Sequence, residues 1–192
     1  MKKSILISLF SAAMLAMAGC SSGSEAGAGT SKSTGDDGEV VIGWSQMENN
    51  NPWRIAETKS IREEADKRGF KMVYSDAQSD TAKQISDVED MVAQGVDYII
   101  LAPREFEGLT PALTTAKNAD IPVILVDRKV AGEAGKDYVS FLGSNFIEQG
   151  QKAADWLIEE MGGKGNIVEL TGTSGSSVAM DRQKGFADKL KE

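Results

Sequence analysis

The sequence predicts an α/β fold built on a doubly wound parallel sheet, with a first lobe complete and a second lobe only begun. Three observations predict it. Short, near-continuous apolar runs recur along the chain, as strands covered on both faces require. Stretches with helical spacing and recognisable ends stand between those runs. Their alternation calls for right-handed crossovers within one sheet. The first lobe is expected over residues 39–143 and the start of the second over 144–192.

The elements follow in order. Val40 to Trp44 reads as a buried strand. Asn51 and Pro52 fit the N-cap and first position of a helix. Ile55, Thr58, Ile61 and Ala65 are expected on one face of it, and Lys67, Arg68 and Gly69 close it. Lys71 to Tyr74 is the next strand. Asp80 caps a second helix with Ile85, Val88 and Val92 inward, and Gly95 ends it. Tyr98 to Leu101 is a strand, and Thr110-Pro111 opens a third helix with Leu113 and Ala116 inward. Val123 to Val126 and Tyr138 to Leu142 are further strands. Asn145 with Glu148 three residues on is a capping-box pattern, opening a helix that runs to Met161 and stops at Gly162. Ile167 to Leu170 is the last expected strand. A final helix starts near Ser176 and is expected to be still running at Glu192, so the chain reads as C-terminally truncated.

The N-terminus reads as an address over residues 1–19. Lys2 and Lys3 precede an apolar run from Ile5 to Ala18, shorter than the ~20 residues of a spanning helix. Small residues then lead to Cys20, the chain's only cysteine, which resembles the lipidation site of a bacterial lipoprotein. An ordinary cleaved signal and an uncleaved anchor are the alternatives. Residues 20–38 are rich in Ser, Gly and Ala and read as a flexible tether with a reach of roughly 20–25 Å. The function is therefore expected to be extracytoplasmic, with the membrane met through the lipid anchor only.

Composition removes several function classes. A formal charge of −8 argues against nucleic acid as a partner. With no histidine, Ser-His-Asp and Cys-His catalysis and histidine metal sites are excluded. One cysteine cannot form an internal disulfide. The turn at Gly172 to Ser176 lacks the Gly-Lys-Ser/Thr ending of a P-loop, and neither a nucleophile elbow nor a dinucleotide fingerprint is present. No enzyme activity, cofactor or metal is expected.

In an open α/β sheet, ligands bind beyond the carboxyl ends of the strands. The residues just after the strands are polar and amide-rich, with matched carboxylates and guanidiniums: Gln46, Asn51, Trp53 and Arg54, then Arg104 and Glu105, Asp127 and Arg128, and Asn145. Hydroxyls of a neutral carbohydrate both donate and accept, so planar Asp, Asn and Arg groups suit them. The C–H face of a sugar ring can lie on the Trp53 indole. Each residue also has a plainer reading. Trp53 can anchor a core, as Trp44 and Trp156 are expected to do. Asn51 can serve as a cap alone, and Asp127-Arg128 can be a surface turn. Arg104-Glu105 can be a solvated pair, and Arg182 an exposed helix residue with a nearby carboxylate. Convergence on one sheet edge favours a binding site.

Several segments together resemble the type I periplasmic sugar-binding proteins, the ribose/galactose-binding class that feeds ABC transporters. They are Asn51-Pro52-Trp53-Arg54, Val92 to Asp97, Ile121-Pro122-Val123 leading to Val126-Asp127-Arg128, and Asp181 to Phe186. Trp53 to Thr58 and Val168 to Thr173 look closest to the galactofuranose-binding branch. Ribose binders usually carry two aromatics where this chain has Trp53 and Arg54. The resemblance implies that Asn51 contacts ligand, Trp53 stacks on it, Arg54 hydrogen-bonds to it, and Asp127 and Arg128 grip ring hydroxyls. It also implies that Arg182 reaches in from the second lobe, with Gln46, Arg104, Glu105 and Asn145 at the rim. The first hinge crossing would fall near Gly143 to Asn145. The implied role is a lipid-anchored receptor that captures a monosaccharide, a pentose or hexose that could be in furanose form, and delivers it to an ABC transporter permease. The alternative is a receptor that presents a sugar or furanose signal for chemotaxis or two-component sensing.

Overall fold

Five parallel strands form one sheet in the order β2-β1-β3-β4-β5 in the computed structural model, which describes residues 38–192. The expected signal segment, the lipid site at Cys20 and nearly all of the tether lie outside the described residues. The elements are β1 (Val41–Gln46), α1 (Pro52–Arg68), β2 (Lys71–Asp76), α2 (Thr81–Ala93) and β3 (Tyr98–Ala102). They continue with α3 (Thr110–Asn118), β4 (Val123–Val126), β5 (Ser140–Leu142), α4 (Phe146–Met161) and α5 (Ser177–Lys189). The chain steps from β1 outward to β2, then returns to place β3 on the other side of β1. That reversal opens a crevice beyond the carboxyl ends of the strands.

The helix ends follow the residues that predict them. The side chains of Asn51, Asp80, Asn145 and Ser176 each accept a hydrogen bond from the backbone N–H three residues on. Gly69 and Gly162 take left-handed φ values of 70° and 63° and close α1 and α4. The core is a cluster of buried residues including Val88, Met91, Ile99, Leu101, Leu113 and Leu125, where α2 and α3 cover the sheet. Ile85 and Val92 pack against it as expected, partly buried.

Several expectations are corrected. β1 runs on to Gln46, so this residue pairs with β2 and β3 inside the sheet instead of standing in the following loop. The inward face of α1 holds Arg54, Thr58 and Ala65, whereas Ile55 is 51% exposed. A buried ionic network draws the register of the helix to Arg54. Trp44 is fully buried, but Trp156 is 60% exposed on α4. β5 is shorter than expected, and Tyr138 makes only an isolated bridge with Ala134. Ile167 to Leu170 forms no strand. Val168 and Leu170 are almost wholly exposed, because no neighbouring strand among the described residues offers them a ladder. The final helix stops at Lys189 instead of continuing to Glu192.

α4 and α5 cross in close contact. A Cβ on Gly150 would sit 2.1 Å from the Arg182 carbonyl oxygen, and one on Gly185 would sit 2.0 Å from the Ile147 carbonyl oxygen. Glycine is therefore the only residue that lets the two backbones approach this far. The pair places Phe146, Gln149 and Arg182 together opposite the sheet edge.

Candidate functional site

The site begins with the cap of α1. Asn51 Oδ1 accepts from the Arg54 N–H at 3.1 Å, and Asn51 Nδ2 donates to Glu48 Oε1 at 2.9 Å. This fixes Trp53 and Arg54 in the first helical turn, on different faces. Trp53 is 62% exposed, with its indole toward the crevice, whereas Arg54 is 2% exposed. The Arg54 guanidinium donates from Nη1 to Glu57 Oε2 at 2.8 Å and from Nη2 to Asp127 Oδ2 at 2.6 Å.

Asp127 follows β4 and has a φ of 62°, in the left-handed region. Its N–H donates to the Leu142 carbonyl at 2.8 Å, and the Arg128 N–H donates to the Val126 carbonyl at 2.7 Å. The chain thus turns tightly at Asp127, and Asp is one of the few side chains that tolerate that backbone. Arg128 is 9% exposed and donates from Nη1 to the Arg104 carbonyl at 2.7 Å. Its Nε is buried without a hydrogen-bond partner, 3.7 Å from Asp127 Oδ2. Burial, and then the nearby Arg54 charge, lower the Arg128 pKa from its ordinary value. From the other side, Arg182 donates from Nε and Nη2 to Gln149 Oε1 at 3.0 and 2.9 Å and lies 4.9 Å over the Phe146 ring centroid.

These groups wall one cavity of about 410 Å³. Asn51, Trp53, Arg54, Asp127, Arg128 and Arg182 all line it. Gln46, Arg104, Glu105 and Asn145 do not. Gln46 is fully buried and donates to Glu57 Oε2 at 3.0 Å and Thr58 Oγ1 at 3.2 Å. Arg104 donates to the Ser79 carbonyl at 2.6 Å and pairs with Glu105 at 3.3 Å, while Glu105 accepts from the Thr81 hydroxyl. Asn145 caps α4.

The wall also includes Glu48, Ser144, Phe146, Gln149, Thr173 and Val178, which the sequence reading did not select. Glu48 lies in the loop that carries Asn51 and Trp53, Ser144 precedes the α4 cap Asn145, and Thr173 lies in the turn from Gly172 to Ser176. Phe146 and Gln149 were legible only as an aromatic and an amide three residues apart in the first turn of α4. Among the described residues, no group of three or more His, Cys, Asp or Glu is placed to hold a metal ion. Chemically, the cavity offers charge-assisted donors, carboxylate acceptors, an amide and an exposed indole, set for a small polar ligand with a flat apolar face.

Comparison with known proteins agrees with this architecture. The periplasmic binding protein domain family matches residues 42–192. The galactofuranose-binding protein YtfQ of Escherichia coli K12 is 42% identical over 153 residues, which is 79% of this chain and 48% of that protein. The ribose import binding protein RbsB of Bacillus subtilis is 35% identical over 80% of this chain and 49% of its own. The periplasmic binding component of the arabinose ABC transporter of Shewanella sp. ANA-3, solved with α- and β-L-arabinofuranose, superposes with a TM-score of 0.74. It is 36% identical over 79% of this chain and 50% of its own. The chain spans about half the length of the relatives it matches. A five-stranded parallel sheet of order β2-β1-β3-β4-β5, a crevice at its carboxyl edge and a family match along nearly all the described residues make this chain a member of the periplasmic binding protein domain family, with the type I fold of its sugar-binding branch.

Proposed function

We propose that the chain is the ligand-gripping first lobe, with the start of the second, of an extracytoplasmic solute receptor for a neutral monosaccharide. The single observation that carries this reading is the meeting of Trp53, Arg54, Asp127, Arg128 and Arg182, from three separate regions of the sequence, on one cavity wall. Trp53 receives the C–H face of the sugar. The Asp127 carboxylate, held by Arg54, accepts from ring hydroxyls. The unpartnered Arg128 Nε donates to a sugar oxygen, which relieves a buried donor otherwise left unmet. Asn51 and Arg182 complete the grip from either side.

The names of the relatives, galactofuranose and L-arabinofuranose binders among them, support a pentose or hexose and favour a furanose ring. Cys20 carries the lipid that anchors the protein, and residues 20–38 tether the folded part. Closure about the Gly143 to Asn145 crossing presents the loaded form to an ABC transporter permease. Isothermal calorimetry of the intact protein against ribose, arabinose, galactose and fructose tests the ligand class. Binding of at least one is expected, and silence across the panel overturns the reading. Cys20→Ser is expected to release the protein from membranes into the soluble fraction.

A further inference from the structure

Glu57 stands outside this cavity wall, on an adjoining cavity of about 520 Å³ that shares Trp53, Asp127 and Ser144 with it, and its carboxylate holds Arg54. Its Oε2 accepts from Arg54 Nη1 at 2.8 Å and from Gln46 Nε2 at 3.0 Å, and its side chain is 12% exposed. Gln46 is itself locked, since its Oε1 accepts from the Met47 N–H at 3.0 Å and its Nε2 also reaches Thr58 Oγ1. The carboxylate therefore cannot swing away without stripping a fully buried amide of a partner.

The charge around the cavity shows what this anchoring does. Three guanidiniums, Arg54, Arg128 and Arg182, line it, against two carboxylates, Glu48 and Asp127. Counting the wall alone leaves one positive charge in surplus. Glu57, paired with Arg54 at 2.8 Å from the adjoining cavity, brings the balance to zero. The neighbouring ionic groups are matched within themselves, Arg104 with Glu105 at 3.3 Å and Lys129 with Asp181 at 3.7 Å. Burial first, and then the Arg54 charge, lower the Arg128 pKa from its ordinary value, while Asp127 and Glu48 oppose the shift.

We propose that Glu57 is a specificity-determining residue that neutralises Arg54 from outside the cavity wall, so that the cavity selects uncharged sugars over sugar acids. The inference rests on the sugar-binding reading above and deepens it. Without the Glu57 charge, Arg54 keeps only Asp127 as a counter-charge, and a ligand carboxylate meets one surplus positive charge in a partly desolvated site, where it is poorly screened. Glutamine at the same position keeps an oxygen for Arg54 and nearly the same volume.

The test is calorimetry of the intact protein and of Glu57→Gln against galactose, arabinose and galacturonate at low and high salt. The wild type is expected to bind a neutral sugar and to reject galacturonate. Glu57→Gln is expected to shift the galacturonate-to-neutral affinity ratio by about tenfold or more, with the gain fading at high salt. Glu57→Asp, which keeps the charge, is expected to retain the discrimination. Should Glu57→Gln not fold, Glu48→Gln removes one carboxylate by another route and is expected to shift the ratio the same way. A proportional loss of all sugars, with an unchanged and salt-independent ratio, overturns the proposal and leaves Glu57 as a brace for Arg54. A wild type that binds no neutral sugar overturns the receptor reading itself, and this inference falls with it.

Discussion

The guanidinium of Arg54 donates to the Asp127 carboxylate across 2.6 Å, joining the first turn of α1 to the end of β4 over a sequence separation of 73 residues. Both partners are largely buried, with side chains 3% and 14% exposed. Breaking one member of a buried pair costs more than the pair contributes, because the remaining charge is stranded. Asp127→Ala is therefore expected to destabilise the fold by about 2–4 kcal/mol, a loss tempered by the second carboxylate on Arg54. Sugar affinity is expected to fall at least about a hundredfold. Chemical denaturation and calorimetry measure the two effects; an unchanged affinity would remove Asp127 from the binding role.

Trp53 separates binding from stability. Its ring is mostly exposed, so truncation removes little packing. Trp53→Ala is expected to leave the melting temperature within a degree or two, corresponding to about 0.5 kcal/mol or less. Loss of stacking is expected to weaken sugar binding by about tenfold or more. Intrinsic fluorescence of wild-type Trp53 is expected to change on titration with the bound sugar.

The α4–α5 crossing allows a test made at a distance from the ligand. Gly185→Ala drives a methyl into the Ile147 carbonyl, and Gly150→Ala drives one into that of Arg182. Each is expected to cost about 1–3 kcal/mol as the helices separate. Affinity is expected to fall as well, because Gln149 and Phe146 no longer hold Arg182 at the cavity. Thermal melts with parallel calorimetry check both, and a variant that keeps full affinity would show that Arg182 is dispensable.

Asn51 serves the helix before it serves any ligand. Asn51→Ala removes the cap of α1 and the bond to Glu48 and is expected to cost about 1 kcal/mol. Asn51→Ser keeps a capping oxygen without bringing a charge toward Glu48 and is expected to recover most of that stability. A difference in sugar affinity between Ser and Asn, which are both uncharged, would isolate the contribution of the amide.

The strands and helix ends were legible because they depend on local chemistry: apolar runs, capping side chains and closing glycines. What depends on distant partners was not. In α1, spacing alone favours Ile55 as an inward residue, but Arg54 takes that place because Asp127 and Glu57 wait there for its charge. Ile167 to Leu170 has the composition of a strand, yet a strand exists only beside another. Trp156 looks like a core residue from its chemistry, and its exposure follows from which face of α4 meets α5. At the site, the six residues singled out most strongly were brought to one wall. Gln46, Arg104, Glu105 and Asn145 were drawn instead into supporting bonds, which composition cannot distinguish from ligand contacts.

The backbone at Asp127 narrows the evolutionary alphabet at that position. A φ of 62° admits glycine, asparagine and aspartate readily and penalises most others. Of those three, only aspartate also supplies a counter-charge to Arg54. A descendant of this chain that acquires a new ligand has little freedom there, so diversification is channelled to the more permissive neighbours, Trp53 and Gln149 first among them.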